Sequence, residues 1–239
     1  MRKISLNQIG VIKSCFPEKF GIPRQPGLAP SARAIIEMIP PFNRLEMFHG
    51  IEQFSHIWVH FIFHQAVNDG WKSTVRPPRL GGSQRMGIFA TRSPHRPAFL
   101  GMSAVELLGI NQIQEKVIVE IGGIDLLDQT PVIDIKPYLP YSDALDKATG
   151  ANFANEGSHD FRVIFSDQAN SFCVEYEERT GNPLKQLIQE ILAADPRPAS
   201  QKNHKAEYGM ILWEINVRWQ IQGLEILVMS CQKQGATSP

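Results

Sequence analysis

Apolar positions in the first 140 residues fall in short bursts separated by proline and glycine, and none extends into a long helical stripe. Residues 8–14 (QIGVIKS) form one such run, ended by a turn-rich segment whose Pro17, Pro23, Pro26 and Pro30 exclude regular structure. Residues 54–64 (FSHIWVHFIFH) are rich in aromatic and β-branched side chains, which predicts a buried strand. Further strands are predicted over 86–91, 102–109, 116–121 and 132–135. Many short strands without alternating long helices point to an all-β barrel or sandwich. Beyond Tyr141 the pattern changes. Residues 142–159 are small and polar and read as a linker or long loop, and 161–165 as a strand. Asn182-Pro183 reads as cap and first turn of the one convincing helix, whose apolar stripe is Leu184, Leu187, Ile188, Ile191 and Leu192. Asp195-Pro196 ends it. Two final strands are predicted over 210–221 and 224–229, turning at Gln222-Gly223. The expected architecture is mainly β: a β-rich domain over 1–145 and a small α+β domain over 146–239.

Charge sharpens this picture in one place. The chain balances 24 basic against 24 acidic residues, yet every charged residue between Gly70 and Val105 is basic: Lys72, Arg76, Arg79, Arg85, Arg92 and Arg96. Prolines and glycines interleave with these arginines, so a stiff backbone fixes where each guanidinium points. Such forks suit phosphates and carboxylates through bidentate hydrogen bonds, and nucleic acid is a natural anionic ligand. Arg24, in the similarly stiff IPRQPG, joins them. Three cysteines far apart in sequence argue against a disulfide framework and fit a reducing cytoplasm. No apolar run reaches membrane-spanning length, and the N-terminus has no signal-peptide core.

Several chemistries lack their motifs. No GxGxxG follows a strand, RLGGSQ lacks the Lys-Ser/Thr of a phosphate loop, and no Gly-x-Ser-x-Gly elbow is present. EIGGID is best read as a turn. His56, His60 and His64 recur every fourth residue, but on a strand neighbours in that series stand about 13 Å apart, too far to share a metal. His56 and His60 are read as lining a semi-polar strand face, whereas His64, at the end of the run beside Gln65, lies where a strand delivers side chains to a site. Asp125 and Asp128 either shape turns or accept hydrogen bonds from ligand hydroxyls and amines, and the sequence leaves both readings open.

FGIPRQPGL, FSHIWVHFIFH, VRPPRLGG followed by RMGIFATRSPHRP, and DLLDQTPVIDIKPYLPY together resemble the TsaA-like (TrmO) family of tRNA methyltransferases, strongly over residues 5–142. DPRP (195–198) and the strands after it extend the resemblance to the C-terminus. The resemblance implies a single-sheet β-barrel that works as a homodimer, binds S-adenosylmethionine and methylates the N6 of N6-threonylcarbamoyladenosine beside the tRNA anticodon. It further implies cofactor contacts at Pro23, Arg24, Gln25, His64, Gln65, Arg92, Met102, Asp125, Leu126, Leu127 and Asp128. Arg76, Arg79, Arg85 and Arg96 are then candidates for RNA, the C-terminal domain is a possible second tRNA contact, and Asp134, Tyr138 and His64 are conceivable proton acceptors. Two departures from the family pattern stand out: Ala98-Phe99 where relatives read Asn-Pro, and Gln129 where glycine is usual. An RNA-binding module without methyl transfer, and a cofactor-using enzyme for another anionic small molecule, are the alternatives.

Overall fold

The computed structural model describes residues 4–77, 84–150, 161–197 and 207–235. Six antiparallel strands close into one barrel: β1 (Gly10–Ser14), β2 (Arg33–Met38), β3 (His56–Ile62), β6 (Leu100–Ile113), β7 (Lys116–Gly122) and β8 (Pro131–Pro137), in the order β1-β2-β7-β6-β3-β8. Closure leaves no strand edge open, and alternation then decides which side chains enter the core. Ile57, Val59 and Phe61 point inward from β3, and Val117, Val119 and Ile121 from β7. Fully burying each such side chain contributes about 1.5–3 kcal/mol, so the barrel interior outweighs the short length of its strands. Gly101 of β6 lies opposite Phe61 of β3. A Cβ at Gly101 would run into the Phe61 ring, so glycine is required for that ring to close the barrel end.

β2 lies where no strand was expected. Its sequence, RAIIEM, mixes helix formers with isoleucine, and only pairing with β1 and β7 on either side makes it extended. Conversely, the strand expected over 86–91 shrinks to β5 (Met86–Gly87), paired with β4 (Thr74–Val75), before a 3-10 turn at Ile88–Ala90.

A short helix, α1 (Pro140–Asp143), follows the barrel at the start of the stretch expected to be a loop. The C-terminal region is a four-stranded sheet of order β10-β11-β12-β9, carrying α2 and α3. β9 is Arg162–Phe165, β10 Tyr208–Leu212, β11 Ile215–Gln222 and β12 Glu225–Lys233. Two expected strands are thus three, because a turn at Trp213-Glu214 splits the first. Trp213 takes φ +52 there, a conformation its residue type does not announce. α2 (Asp167–Thr180) was not expected at all, since it buries only Ala169, Cys173 and Tyr176. Its signals are local: Ser166 Oγ accepts from Ala169 N at 3.1 Å, and Gly181 ends it at φ +73. α3 (Leu184–Ala193) carries the predicted stripe, fully buried, but its N-cap is Pro183 with no side-chain cap, not Asn182. Among the described residues no helix is long and apolar enough to cross a membrane.

Candidate active site

Antiparallel pairing brings the ends of β1, β3 and β7 and the beginnings of β6 and β8 to one rim of the barrel. A cavity of about 440 Å³ opens there, within the range of small-molecule and cofactor sites. One wall comes from the loop after β1 (Lys19 and residues 22–25), another from His64, Gln65 and Ala66 just past β3. Met102 and Ser103 enter from β6, Asp125 and Leu127 from the β7–β8 loop, and Arg92, Pro94 and His95 from the basic segment. Phe61 and Phe63 meet edge to face at 5.0 Å between centroids and make the wall partly apolar.

The polar groups of this pocket are held in place. Ser103, buried, donates to Asp125 Oδ1 at 2.6 Å. Burial pushes the Asp125 carboxyl from its ordinary 3.8 up to about 6, against the opposing pull of the Ser103 hydrogen bond and of the Arg92 charge. Arg92 Nη1 donates to Gln25 Oε1, and Gln25 Nε2 donates to the Arg24 carbonyl at 2.5 Å, which links three neighbouring lining residues. Burial lowers the pKa of His64, with Lys19 acting in the same direction, so its imidazole is neutral at neutral pH.

A second, wider cleft of about 830 Å³ adjoins the pocket. Arg24, Gln25, Arg92 and Pro94 line both, so the two cavities are neighbours across one shared wall. Arg76 lies on the cleft, and Phe89 stands on it with 80% of its surface exposed.

Nine of the eleven residues expected to contact a cofactor therefore line one pocket: Pro23, Arg24, Gln25, His64, Gln65, Arg92, Met102, Asp125 and Leu127. Leu126 does not, since its side chain is buried in the barrel core. Neither does Asp128, whose Oδ1 accepts from Ser14 N at 2.9 Å and whose Oδ2 accepts from Gln129 at 2.8 Å. The open question over the two aspartates thus divides between them: Asp125 faces the pocket and Asp128 shapes the turn. Asp134 and Tyr138 also lie away from the pocket. Asp134 pairs with Lys136, and Tyr138 packs on Trp58 at 5.5 Å. Of the arginines, Arg76 lines the cleft, Arg85 is exposed, and Arg79 lies outside the described residues. Arg96 is committed to its own loop, donating to the Thr91 carbonyl at 2.6 Å. Lys19, Ile22, Phe61, Phe63, Ala66, Pro94, His95, Ser103 and Thr130 also line the pocket and were not among the expected contacts. For Phe61 and Ser103 the inward phase of their strands was a usable signal, whereas nothing local marks Lys19.

A closed single-sheet barrel with a rim pocket and an adjoining basic cleft, followed by a small α+β region, defines the class of this protein. The model of the tRNA-methyltransferase O N-terminal domain matches residues 11–144, and that of the TrmO C-terminal domain matches residues 158–234. The chain belongs to the tRNA-methyltransferase O family. It is 42% identical over 233 residues to the Escherichia coli tRNA (adenine(37)-N6)-methyltransferase, covering 96% of this chain and 99% of that one. A Pseudomonas aeruginosa protein provisionally named an S-adenosylmethionine-dependent methyltransferase, RcsF, is 48% identical over 216 residues, covering 90% and 91%. The crystal structure of TrmO from Pseudomonas aeruginosa superposes with a TM-score of 0.82 at 40% identity over 98% of both chains.

Proposed function

We propose that this protein is an S-adenosylmethionine-dependent tRNA methyltransferase acting on the exocyclic N6 of adenosine 37, in the form of N6-threonylcarbamoyladenosine, as a cytoplasmic homodimer. The barrel, residues 1–145, is the catalytic domain in this reading, and residues 146–239 form the second domain. The relatives' names support the reaction class. The observation that carries the reading is the pair of cavities sharing the wall of Arg24, Gln25, Arg92 and Pro94. A group-transfer enzyme needs a donor and an acceptor site in contact, and this wall is where they meet.

The rim pocket fits the donor. Its aromatic wall suits an adenine, the Asp125 carboxyl can accept from a ribose hydroxyl or an ammonium, and Arg92 can hold a carboxylate. Bound S-adenosylmethionine supplies an electrophilic methyl group on a sulfonium. The chain's own residues do the rest mainly by positioning, which contributes up to about 7–11 kcal/mol when reactants are well aligned. Phe89 offers a face on which a nucleobase can stack, and Arg76 and Arg92 offer donors to a threonyl carboxylate or a phosphate. The acceptor nitrogen is a weak nucleophile, because its lone pair is drawn into the urea and the ring, so its proton must leave. Of the three acceptors the sequence raised, only His64 lines the pocket, and its neutral imidazole can take that proton.

Mass spectrometry of tRNA nucleosides from a strain lacking the gene tests the proposal. The methylated nucleoside should vanish and return with the plasmid-borne gene. A normal level in the deletion strain would sink the reading.

A further inference from the structure

The residues that line the donor pocket from the first loop, Pro23, Arg24 and Gln25, belong to no strand or helix. The barrel ties their loop down at Gly27 N, which donates to the Gly123 carbonyl at 2.8 Å, and through the Arg92–Gln25 hydrogen bond, and the C-terminal domain supplies further anchors. At one end of the 15–32 loop, Trp213 N donates to the Cys15 carbonyl at 2.8 Å and Ile211 N donates to Glu18 Oε1 at 3.1 Å. At the other, Glu190 Oε2 on α3 accepts from Ser31 N at 2.9 Å and Ser31 Oγ at 2.5 Å. Between them, Arg24 Nη2 donates to the carbonyls of Asp195 at 3.3 Å and Arg197 at 3.4 Å. Those carbonyls sit in a buried turn in which Asp195, at φ +48, grips the Arg197 guanidinium at 2.7 and 3.1 Å.

We infer that the C-terminal domain is a positioning device for the methyl-donor site, with the Asp195–Arg197 turn as its clamp on Arg24. The inference rests on reading the rim pocket as the donor site. Its physical basis is entropy: an irregular loop between two strands must be ordered before it can bind, and each side chain left to order itself weakens affinity. Arg24 is held from behind by carbonyls that carry no net charge, which leaves its remaining donors and its positive charge available to the pocket. Asp195 and Arg197 touch no ligand in this scheme and act through Arg24.

Calorimetric titration of S-adenosylmethionine into the full chain tests this. Asp195→Asn keeps a residue type that tolerates positive φ but loosens the grip on Arg197. It should weaken donor affinity roughly ten-fold, the scale of one hydrogen bond to a charged group, with binding stoichiometry and donor-free tRNA affinity unchanged. Glu190→Gln, on the separate α3 anchor, should weaken it in the same direction and serves should Asp195→Asn fold poorly. In an Arg24→Ala background Asp195→Asn should add nothing further, because the turn acts through that side chain. Donor affinity within about two-fold of the parent in both single variants, or additive losses in the double variant, would overturn the clamp while leaving the donor site standing. An Arg24→Ala protein that binds the donor normally would instead overturn the site assignment and the clamp with it.

Discussion

Asp125→Asn separates what the pocket needs from what the fold prefers. The carboxyl is enclosed at the pocket floor and its pKa is raised from 3.8 to about 6. Below the unfolded value it is protonated in both states and costs nothing. As pH rises from the unfolded value toward the folded one, the unfolded chain ionises while the native site resists, so the native state loses stability until the folded value is passed and the loss is complete. A shift of roughly two units corresponds to about 3 kcal/mol at pH 8, an upper bound since the pocket is open to solvent. Near pH 4.5 the same linkage leaves about 1 kcal/mol. Asparagine retains an oxygen to accept from Ser103 and carries no charge to desolvate. The variant should therefore melt about 5–10 °C above the parent at pH 8, with the gain falling to about a third near pH 4.5. Its affinity for S-adenosylmethionine should fall at both. Fluorimetric melts of both proteins across that pH series give the comparison. A gain independent of pH, or a variant less stable than the parent at pH 8, would refute the desolvation argument.

Three further substitutions address other parts of the site. Arg92→Ala should weaken S-adenosylmethionine binding by roughly ten-fold or more, since it removes a charged donor from the wall shared by both cavities; calorimetry reads it directly. Phe89→Ala should leave stability within about 0.5 kcal/mol, because the ring is exposed, and yet raise the KM for tRNA without changing donor affinity. Kinetics at saturating S-adenosylmethionine check this, and Phe89→Tyr should restore the parent value. Gln129→Gly relieves a left-handed residue at φ +63 but gives up hydrogen bonds to Lys13 and Asp128. A net stabilisation below about 1 kcal/mol is expected from urea unfolding, and a loss of more than that would show that the polar contacts outweigh backbone strain.

The residues that were legible in the sequence share a physical property: their role is written in local pattern. The aromatic and β-branched run of residues 54–64 and the short apolar run of 116–121 announced strands, and the stripe of α3 announced its buried face. The stiff segments around Arg24 and Arg92 announced fixed guanidinium groups, and the structure sets the two on one wall. What escaped depends on pairing between distant segments. β2 is a strand because β1 and β7 flank it, and α2 buries only Ala169, Cys173 and Tyr176, too sparse a set to show as an apolar stripe. The two aspartates could not be told apart because both follow β7 by a few residues. Only the register of β1 decides that Ser14 N meets Asp128, leaving Asp125 for the pocket.

The departures from the family pattern acquire a physical meaning on the same terms. Gln129 occupies a left-handed position where glycine carries no steric cost, which accounts for glycine being usual there. Phe99 sits at φ +50, which proline cannot adopt, and its amide donates to the Arg96 carbonyl at 3.0 Å, a bond proline could not make. The loop between Arg96 and Gly101 must therefore take a path here that a proline at 99 excludes. That path sets where the Phe99 carbonyl receives Phe63 N, at 2.8 Å, and Phe63 is a wall of the pocket. The change at Ala98-Phe99 thus reaches the rim pocket through one backbone hydrogen bond, without either side chain lining it.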